Sequence, residues 1–264
     1  MKTKLAVARK SAPKPKAASV RLTLSEAMSA LEKEGSEQTR KTYMRHGATP
    51  PMFGVSFAFL AKLVKRIGVD HELARGLWKT GNFDARNLAL KIADPAQVTS
   101  AELDEWARGT MARMCGGYVA MLAGESPLAA KKAAEWLAAP PGPERCTGWA
   151  LLGQMAMRDE STPDAWFLAR LAEIERTIHA APNAEREGMN MAVIVIGCRN
   201  VALRKAASAA AKRIGKVEVD HGDTACKTPD AASYIDKTWA HAKSKGFESP
   251  AAQERTRETQ RRRC

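Results

Sequence analysis

Residues 55–66, VSFAFLAKLVKR, show most directly how this chain folds. Wound as a helix, the stretch gathers its apolar side chains on one broad face. These side chains are Val55, Phe57, Phe59, Leu60, Leu63 and Val64. Three basic residues, Lys62, Lys65 and Arg66, fall toward the polar side. The spacing predicts an amphipathic helix that packs on a core and turns a basic face outward.

Helix-start signals recur along the rest of the chain. Residues 23–26 (TLSE) and 99–102 (TSAE) are capping boxes, in which a hydroxyl and a carboxylate satisfy free backbone N–H groups. Residues 162–164 and 228–230 (both TPD) each offer a cap, a proline for the first helical position and an acid near the positive helix end. The run 191–198 (MAVIVIGC) could be a buried strand, but its helical flanks favour a buried helix. Together these signals predict an all-α chain.

The positive charge is concentrated at the two ends of the chain. The 264 residues are 45% hydrophobic and carry a formal net charge of +13, which makes acidic partners attractive. Residues 1–20 hold six basic residues and no acid, residues 251–264 add a net +3, and the remainder for 21–250 is only +4. We therefore predict a single domain over 21–247, a disordered basic tail over 1–20 and a second basic tail over 248–264.

Composition excludes several classes of protein. The five cysteines include no CxxC pair, which speaks against a disulfide framework or a zinc finger and favours the reducing cytoplasm. No window approaches the ~18–20 apolar residues of a membrane span. The sequence has no P-loop, no HExxH and no Ser/His/Asp constellation, so we expect no cofactor and no metal. We expect the protein to be a monomer.

A weak internal repeat suggests how the helices are arranged. The pairs Asp84/Arg86, Glu144/Arg145 and Glu185/Arg186 each open an apolar helix rich in small residues. Such recurrence is typical of stacked helical pairs of the HEAT or armadillo kind, which form a superhelix with a concave inner surface. A generic helical bundle explains the pattern equally well, because acid–arginine helix starts are common.

Three stretches resemble one known family. They are Tyr43-Met44-Arg45 with Pro51-Met52-Phe53-Gly54-Val55, then Glu72-Leu73, Leu77-Trp78, Asp84-Ala85-Arg86, Leu90 and Ala93, and finally Trp106 on a helix beside a loop. In this order they resemble the DNA alkylation repair proteins built from HEAT-like repeats, the AlkD-type glycosylases. The resemblance spans roughly residues 36–215 and implies an all-α, HEAT-like helical-repeat solenoid.

The resemblance also implies a function and its residues. Alkylation at N3 or N7 leaves a purine with a positive charge and a weak glycosidic bond. A glycosylase of this family binds duplex DNA and stabilises the sugar cation as the base leaves. The resemblance places Tyr43 and Trp106 beside the lesion. It expects an aspartate one turn after the tryptophan, but this chain has Thr110 there, which carries no charge.

The function therefore has more than one interpretation. The leading hypothesis is a duplex-DNA-binding alkylation-repair protein that releases N3- or N7-alkylated purines and associates with the nucleoid. The first alternative, favoured by Thr110, is a HEAT-repeat module that binds DNA without chemistry. The second is a protein-binding scaffold, favoured by the low charge of residues 21–250.

Two further regions supply candidate site residues. Residues 216–230 (KVEVDHGDTACKTPD) are dense in Asp, His and Cys, and could ligate a metal, present acids to DNA or form a simple turn. Asp220 and Asp223 are the candidates for a relocated catalytic carboxylate. On the helix predicted over 200–216, basic side chains recur at helical spacing and are candidates for phosphate contacts. They are Arg204, Lys205, Lys212 and Arg213, and the basic face of residues 55–66 adds Lys62, Lys65 and Arg66 as candidates for the same contacts.

Overall fold

The computed structural model describes residues 21–110, 113–259 and 261–262, with the side chains of residues 113 and 114 excepted. The predicted basic tail over 1–20 lies outside these residues. The described chain is helical, with one isolated β-bridge between Gly35 and Val55. The helices are α1 Leu24–Lys33, α2 Glu37–Arg45, α3 Phe57–Ile67, α4 His71–Lys79, α5 Phe83–Ile92, α6 Ser100–Arg108, α7 Arg113–Glu125, α8 Ala129–Ala138, α9 Pro143–Arg158, α10 Asp164–Thr177, α11 Asn183–Gly197, α12 Val201–Ile214, α13 Ala231–Ser244 and α14 Pro250–Arg255.

From α4 onward the helices form successive pairs. Each pair packs a first helix on a second helix, as α4 does on α5 and α8 on α9. The second helices α5, α7, α9, α11 and α13 also pack on one another in that order and form a continuous layer. Because neighbouring pairs share this layer, the arrangement is a stack of helical pairs rather than a generic bundle.

Close backbone approach holds the stack together. A Cβ added at Gly148 of α9 would lie 3.0 Å from the backbone nitrogen of Leu137 in α8. The run 191–198 is helical and largely buried, as predicted; it forms the second half of α11 and ends at the C-cap residue Cys198. The apolar face predicted in residues 55–66 is also seen, since Leu60, Leu63 and Val64 of α3 are buried.

Two kinds of helix start behave differently in the structure. Both capping boxes form, with Thr23 and Thr99 as the N-caps of α1 and α6. The two TPD motifs do not cap as predicted. Helix α13 begins one residue after Asp230, whose own carboxylate accepts the N–H of Ser233, and α10 begins at Asp164 without a side-chain cap. In both cases the proline precedes the first helical residue.

The capping carboxylate of α6 makes stability depend on pH. Burial opposes ionisation of Glu102, but hydrogen bonds from Arg75 and Thr99 outweigh it and lower the pKa to about 2. Because this pKa lies below that of the unfolded chain, we expect stability to be lost as the pH falls from ~4.5 toward 2. Acid titration of the unfolding free energy should be flatter in Glu102→Gln; identical profiles would contradict the assignment.

The C-terminal segment differs from the predicted tail. Residues 250–255 form α14, which packs on α9 and α13. Beyond it the chain reaches Arg261, whose side chain is buried. The predicted boundary at residue 247 is therefore wrong for the described residues of this segment, because Arg158 binds Glu254 and Glu125 binds Arg261. None of the described helices has the length and apolar character of a membrane span.

Candidate nucleic-acid interface

A buried aspartate fastens the segment before α3 to the start of α5. Asp84 accepts three backbone N–H groups, from Phe53 at 2.7 Å and from Gly54 and Val55 at 2.9 Å. Gly54 is required here because its φ is +82° and a Cβ would lie 2.4 Å from the carbonyl oxygen of Ser36. Asp84 therefore holds its loop in place and is not available to DNA.

Tyr43 belongs to the same buried cluster. Its hydroxyl donates to the carbonyl oxygen of Val55 at 2.6 Å. Its ring packs against Phe57 and Phe83 at centroid distances of 5.9 and 5.3 Å. The structure places the Tyr43 side chain in the packing of α2, α3 and α5, and a contact between Tyr43 and a lesion stays a prediction.

Trp106 is also buried, with 2% of its surface exposed. The Trp106 ring stacks on the Trp78 ring, with 5.0 Å between the ring centroids. The guanidinium of Arg86 lies over the Trp78 ring, 4.7 Å from its centroid. Arg86 also donates to the carbonyl oxygen of Gly109 at 2.8 Å. The structure places Trp106 in the core, and a DNA contact by Trp106 stays a prediction. Arg86 is the residue that holds the turn after α6.

Thr110 follows that turn directly. Its hydroxyl donates to the carbonyl oxygen of Ala107 at 3.1 Å, and the side chain is half-buried. Gly116 of α7 lies beside both Thr110 and Thr147. A Cβ added at Gly116 would lie 3.7 Å from the side chain of Thr110 and 3.4 Å from that of Thr147. The position that the resemblance assigns to a carboxylate thus has a neutral hydroxyl with a backbone partner.

The acid–arginine repeat has a structural counterpart. At the starts of the second helices, each arginine reaches the next pair in the stack. Arg86 binds the Gly109 carbonyl, Arg145 lies 3.3 Å from the carboxylate of Glu185, and Arg186 donates to the carbonyl of Glu218 at 2.8 Å. These contacts connect successive helical pairs and give each of the three arginines a partner within the protein.

The basic residues of α12 divide into paired and free groups. Arg204 binds Asp236 at 2.9 Å and lies 4.8 Å from the ring centre of Trp239. Arg213 forms a two-pronged pair with Glu175, and this bond raises the pKa of Arg213 and lowers that of Glu175. The exposed lysines of this helix, Lys205 and Lys212, have no ion-pair partner among the described residues.

The basic face of α3 lies elsewhere in the stack. Lys62, Lys65 and Arg66 are exposed on a helix that packs on α5. Helix α12 packs on α10, α11 and α13, near the other end. The structure therefore does not bring the two predicted groups of phosphate-binding residues into one patch.

The segment 216–230 is a turn held against α11. Asn183 binds both backbone groups of Asp220 at 2.8 Å, and the Asp220 carboxylate accepts the N–H of Gly222. Asp223 is exposed, and His221 binds Thr228 at 3.0 Å. No group of His, Cys, Asp and Glu able to hold a metal occurs in the described ranges. These local hydrogen bonds are those of a turn, and a catalytic role for Asp220 or Asp223 stays a prediction.

One feature of the molecule carried no signal in the sequence. The guanidinium of Arg261 binds Glu125 of α7 and the carbonyl oxygens of Leu90 and Ala93 at the end of α5. The partners lie 136, 171 and 168 residues away in the chain. Composition alone predicts that an arginine-rich terminus is exposed to solvent, so this contact becomes visible only in the folded structure.

Comparison with known proteins agrees with this architecture. A family model described as DNA alkylation repair enzyme matches residues 26–213. An uncharacterized protein of Listeria innocua is 30% identical over 208 residues, which cover 75% of this chain and 89% of the relative. A protein of Listeria monocytogenes is 29% identical over 206 residues, with the same coverage.

A solved structure is similar over nearly its whole length. It is described as belonging to a new family of proteins related to the HEAT-like repeat DNA glycosylases, with affinity for branched DNA structures. Its TM-score is 0.78 at 29% identity, and the match covers 87% of this chain and 98% of that one. The predicted HEAT-like helical-repeat fold is confirmed.

Proposed function

The chain belongs to the DNA alkylation repair enzyme family, and we propose that it is a DNA-binding member that recognises branched DNA without releasing bases. Thr110 is the observation that carries this proposal. A glycosylase of this kind stabilises a developing sugar cation, and that requires a negative charge close to the lesion. The Thr110 hydroxyl is neutral and donates to a carbonyl of its own turn.

The surroundings of Thr110 support the same conclusion. Thr147, which like Thr110 lies beside Gly116, carries a second neutral hydroxyl, and it donates to the carbonyl oxygen of Pro143 at 2.8 Å. The nearby Arg108 is paired with the carboxylate of Glu144 at 2.8 Å. Tyr43 and Trp106, the aromatic residues that the resemblance places at a lesion, are packed in the core. A protein that binds DNA without catalysis needs neither a carboxylate at position 110 nor Tyr43 and Trp106 exposed to the DNA.

Affinity for DNA would come from exposed lysines and arginines. Lys62, Lys65, Arg66, Lys205 and Lys212 are exposed, and each can displace a counterion from a phosphate. The similar solved protein is described as having affinity for branched DNA structures. We extend that preference to this chain, because the match covers nearly all of that protein.

The test is a pair of assays on the same preparation. We expect tighter binding to a three-way junction than to a linear duplex of equal length, with affinity falling steeply as salt rises. With protein in excess over a duplex that carries N7-methylguanine, base release should not exceed spontaneous depurination. Release above that background would overturn the proposal. Loss of such release in Asp220→Asn or Asp223→Asn would then establish a relocated carboxylate.

A further inference from the structure

The segment 216–230 encloses a groove that none of the features above uses. The groove has a volume of about 1020 Å³ and lies between this segment, the start of α11 and the end of α12. Ligand clefts span ~300–1000 Å³, so the groove has room for a short stretch of polymer. Its floor includes apolar side chains from three elements: Ala211, Val217, Val219, Pro229 and Ala231.

The walls of the groove are fixed by hydrogen bonds to α11. The Asn183 side chain binds the backbone of Asp220, and the Asn190 side chain donates to the carbonyl of Pro229 at 3.0 Å. Arg186 donates to the carbonyls of Glu218 and Ala181 at 2.8 and 3.0 Å. Because these contacts anchor both ends of the segment, the groove is formed before any ligand arrives.

The acids that line the groove already have partners. Glu218 pairs with Lys216 at 2.8 Å, which lowers the pKa of its carboxyl group. Asp230 caps α13, and hydrogen bonds from Ser233 lower its pKa. Asp220 accepts the N–H of Gly222 at 2.8 Å. Each carboxylate is thus directed at a neighbour within the protein.

Two of the lysines that line the groove are not paired with an acid of the described chain. Lys212 and Lys227 are exposed and have no ion-pair partner within the described part of the chain. They come from different elements, the last turn of α12 and the end of the 216–230 segment. Cations on two walls above an apolar floor suit a ligand with repeated negative charges on an apolar framework.

We propose that this groove binds the sugar–phosphate backbone of a single nucleic-acid strand. In a branched DNA this would be the strand that leaves the duplex at the junction, so the inference rests on the proposed DNA-binding function. The phosphates lie against Lys212 and Lys227, and the sugars lie on the apolar floor. Single-strand grooves that grip bases carry stacking aromatic residues. Among the described lining residues the only aromatic ring is His221, so binding is independent of sequence.

The experiment compares two double variants with equal loss of charge. Lys212→Ala/Lys227→Ala removes the free groove cations. Lys33→Ala/Lys79→Ala removes two exposed lysines from the last turns of α1 and α4, away from the groove. Binding is measured by anisotropy on a forked DNA with a single-stranded arm and on a linear duplex, across a range of salt concentrations.

We expect the groove variant to lose about tenfold in affinity for the fork, with a salt slope lower by about 1.4 for two single-strand phosphate contacts. Because Lys212 is also one of the exposed cations that contact duplex phosphates, binding to the linear duplex should fall, but by less than binding to the fork, and Lys212→Arg/Lys227→Arg should restore fork binding. An unchanged fork affinity and slope in the groove variant would overturn the inference while leaving DNA binding intact. Failure of the wild type to bind either DNA would instead overturn the proposed function.

Cys226 supplies an independent readout inside the groove. It is exposed and lines the cavity, whereas Cys115 and Cys198 are buried and burial raises the pKa of Cys146 to about 11. In a Cys264→Ser background, maleimide labelling of Cys226 should slow on addition of a single-stranded oligonucleotide. An equal labelling rate with and without saturating oligonucleotide would exclude a strand in the groove.

Discussion

Replacing Glu125 by alanine is expected to lower the free energy of unfolding by about 3–5 kcal/mol. Glu125 accepts two hydrogen bonds from the guanidinium of Arg261, from Nη2 at 2.7 Å and from Nε at 3.0 Å. Arg261 is 1% exposed, so the substitution leaves a buried cation without its counter-charge. Breaking one partner of a buried pair costs more than the pair contributes, because the remaining charge stays desolvated.

The C-terminal segment can limit this cost by leaving its site. Arg261 would then regain water, while the carbonyl oxygens of Leu90 and Ala93 would lose its Nη1 group, which lies 2.5 and 3.1 Å from them. We therefore expect faster proteolysis around residues 256–259 in Glu125→Ala, along with a lower midpoint in urea. Both readouts follow from the same detachment.

A matched control comes from an exposed pair next to the same segment. Glu160 is 76% exposed and binds Arg255 at 3.0 Å, so Glu160→Ala should change stability by no more than ~0.5 kcal/mol. Equal effects of Glu125→Ala and Glu160→Ala would show that Arg261 contributes little. A double-mutant cycle over Glu125 and Arg261 then measures their coupling directly.

Local sequence signals predicted much of the fold because they act over three or four residues. The capping boxes at Thr23 and Thr99 involve contacts within one turn, and both are present. The acid–arginine repeat predicted the starts of α5, α9 and α11, because an acid favours the positive end of a helix. The repeat also suggested stacked pairs, since a helical pair cannot bury its apolar face alone, but it did not distinguish a stack from a generic bundle.

The site residues could not be predicted in the same way, because their environment is set by distant segments. Trp106 stacks on Trp78, which belongs to the preceding pair of helices and is itself covered by Arg86. Arg204 and Arg213 read as free cations in sequence, yet Asp236 and Glu175 on neighbouring helices neutralise them. Spacing along one helix shows which side chains share a face, and it does not show what faces them.

Asp84→Ala is expected to have the second large effect, a loss of about 3 kcal/mol or more in the free energy of unfolding. The carboxylate is 1% exposed and accepts the backbone N–H groups of Phe53, Gly54 and Val55. Each buried donor left without a partner costs ~1–3 kcal/mol, and water can reach only part of this segment after local rearrangement. The estimate therefore lies at the low end of the summed cost.

The geometry of the same contacts distinguishes this role from simple packing. In Asp84→Asn the side chain keeps its volume, but its amide nitrogen is a donor and would meet one of the backbone donors. Asn should therefore recover only part of the stability that Ala loses, whereas a packing role would predict nearly full recovery. Asp236→Ala serves as the control, because it removes a carboxylate that is 68% exposed; it should change the free energy of unfolding by no more than ~0.5 kcal/mol.

The Tyr43 hydroxyl gives a local readout of the same segment, because it donates to the carbonyl oxygen of Val55. Loosening the segment should expose Tyr43. The fluorescence of Tyr43 and hydrogen exchange at the Val55 amide would then report the change before global unfolding.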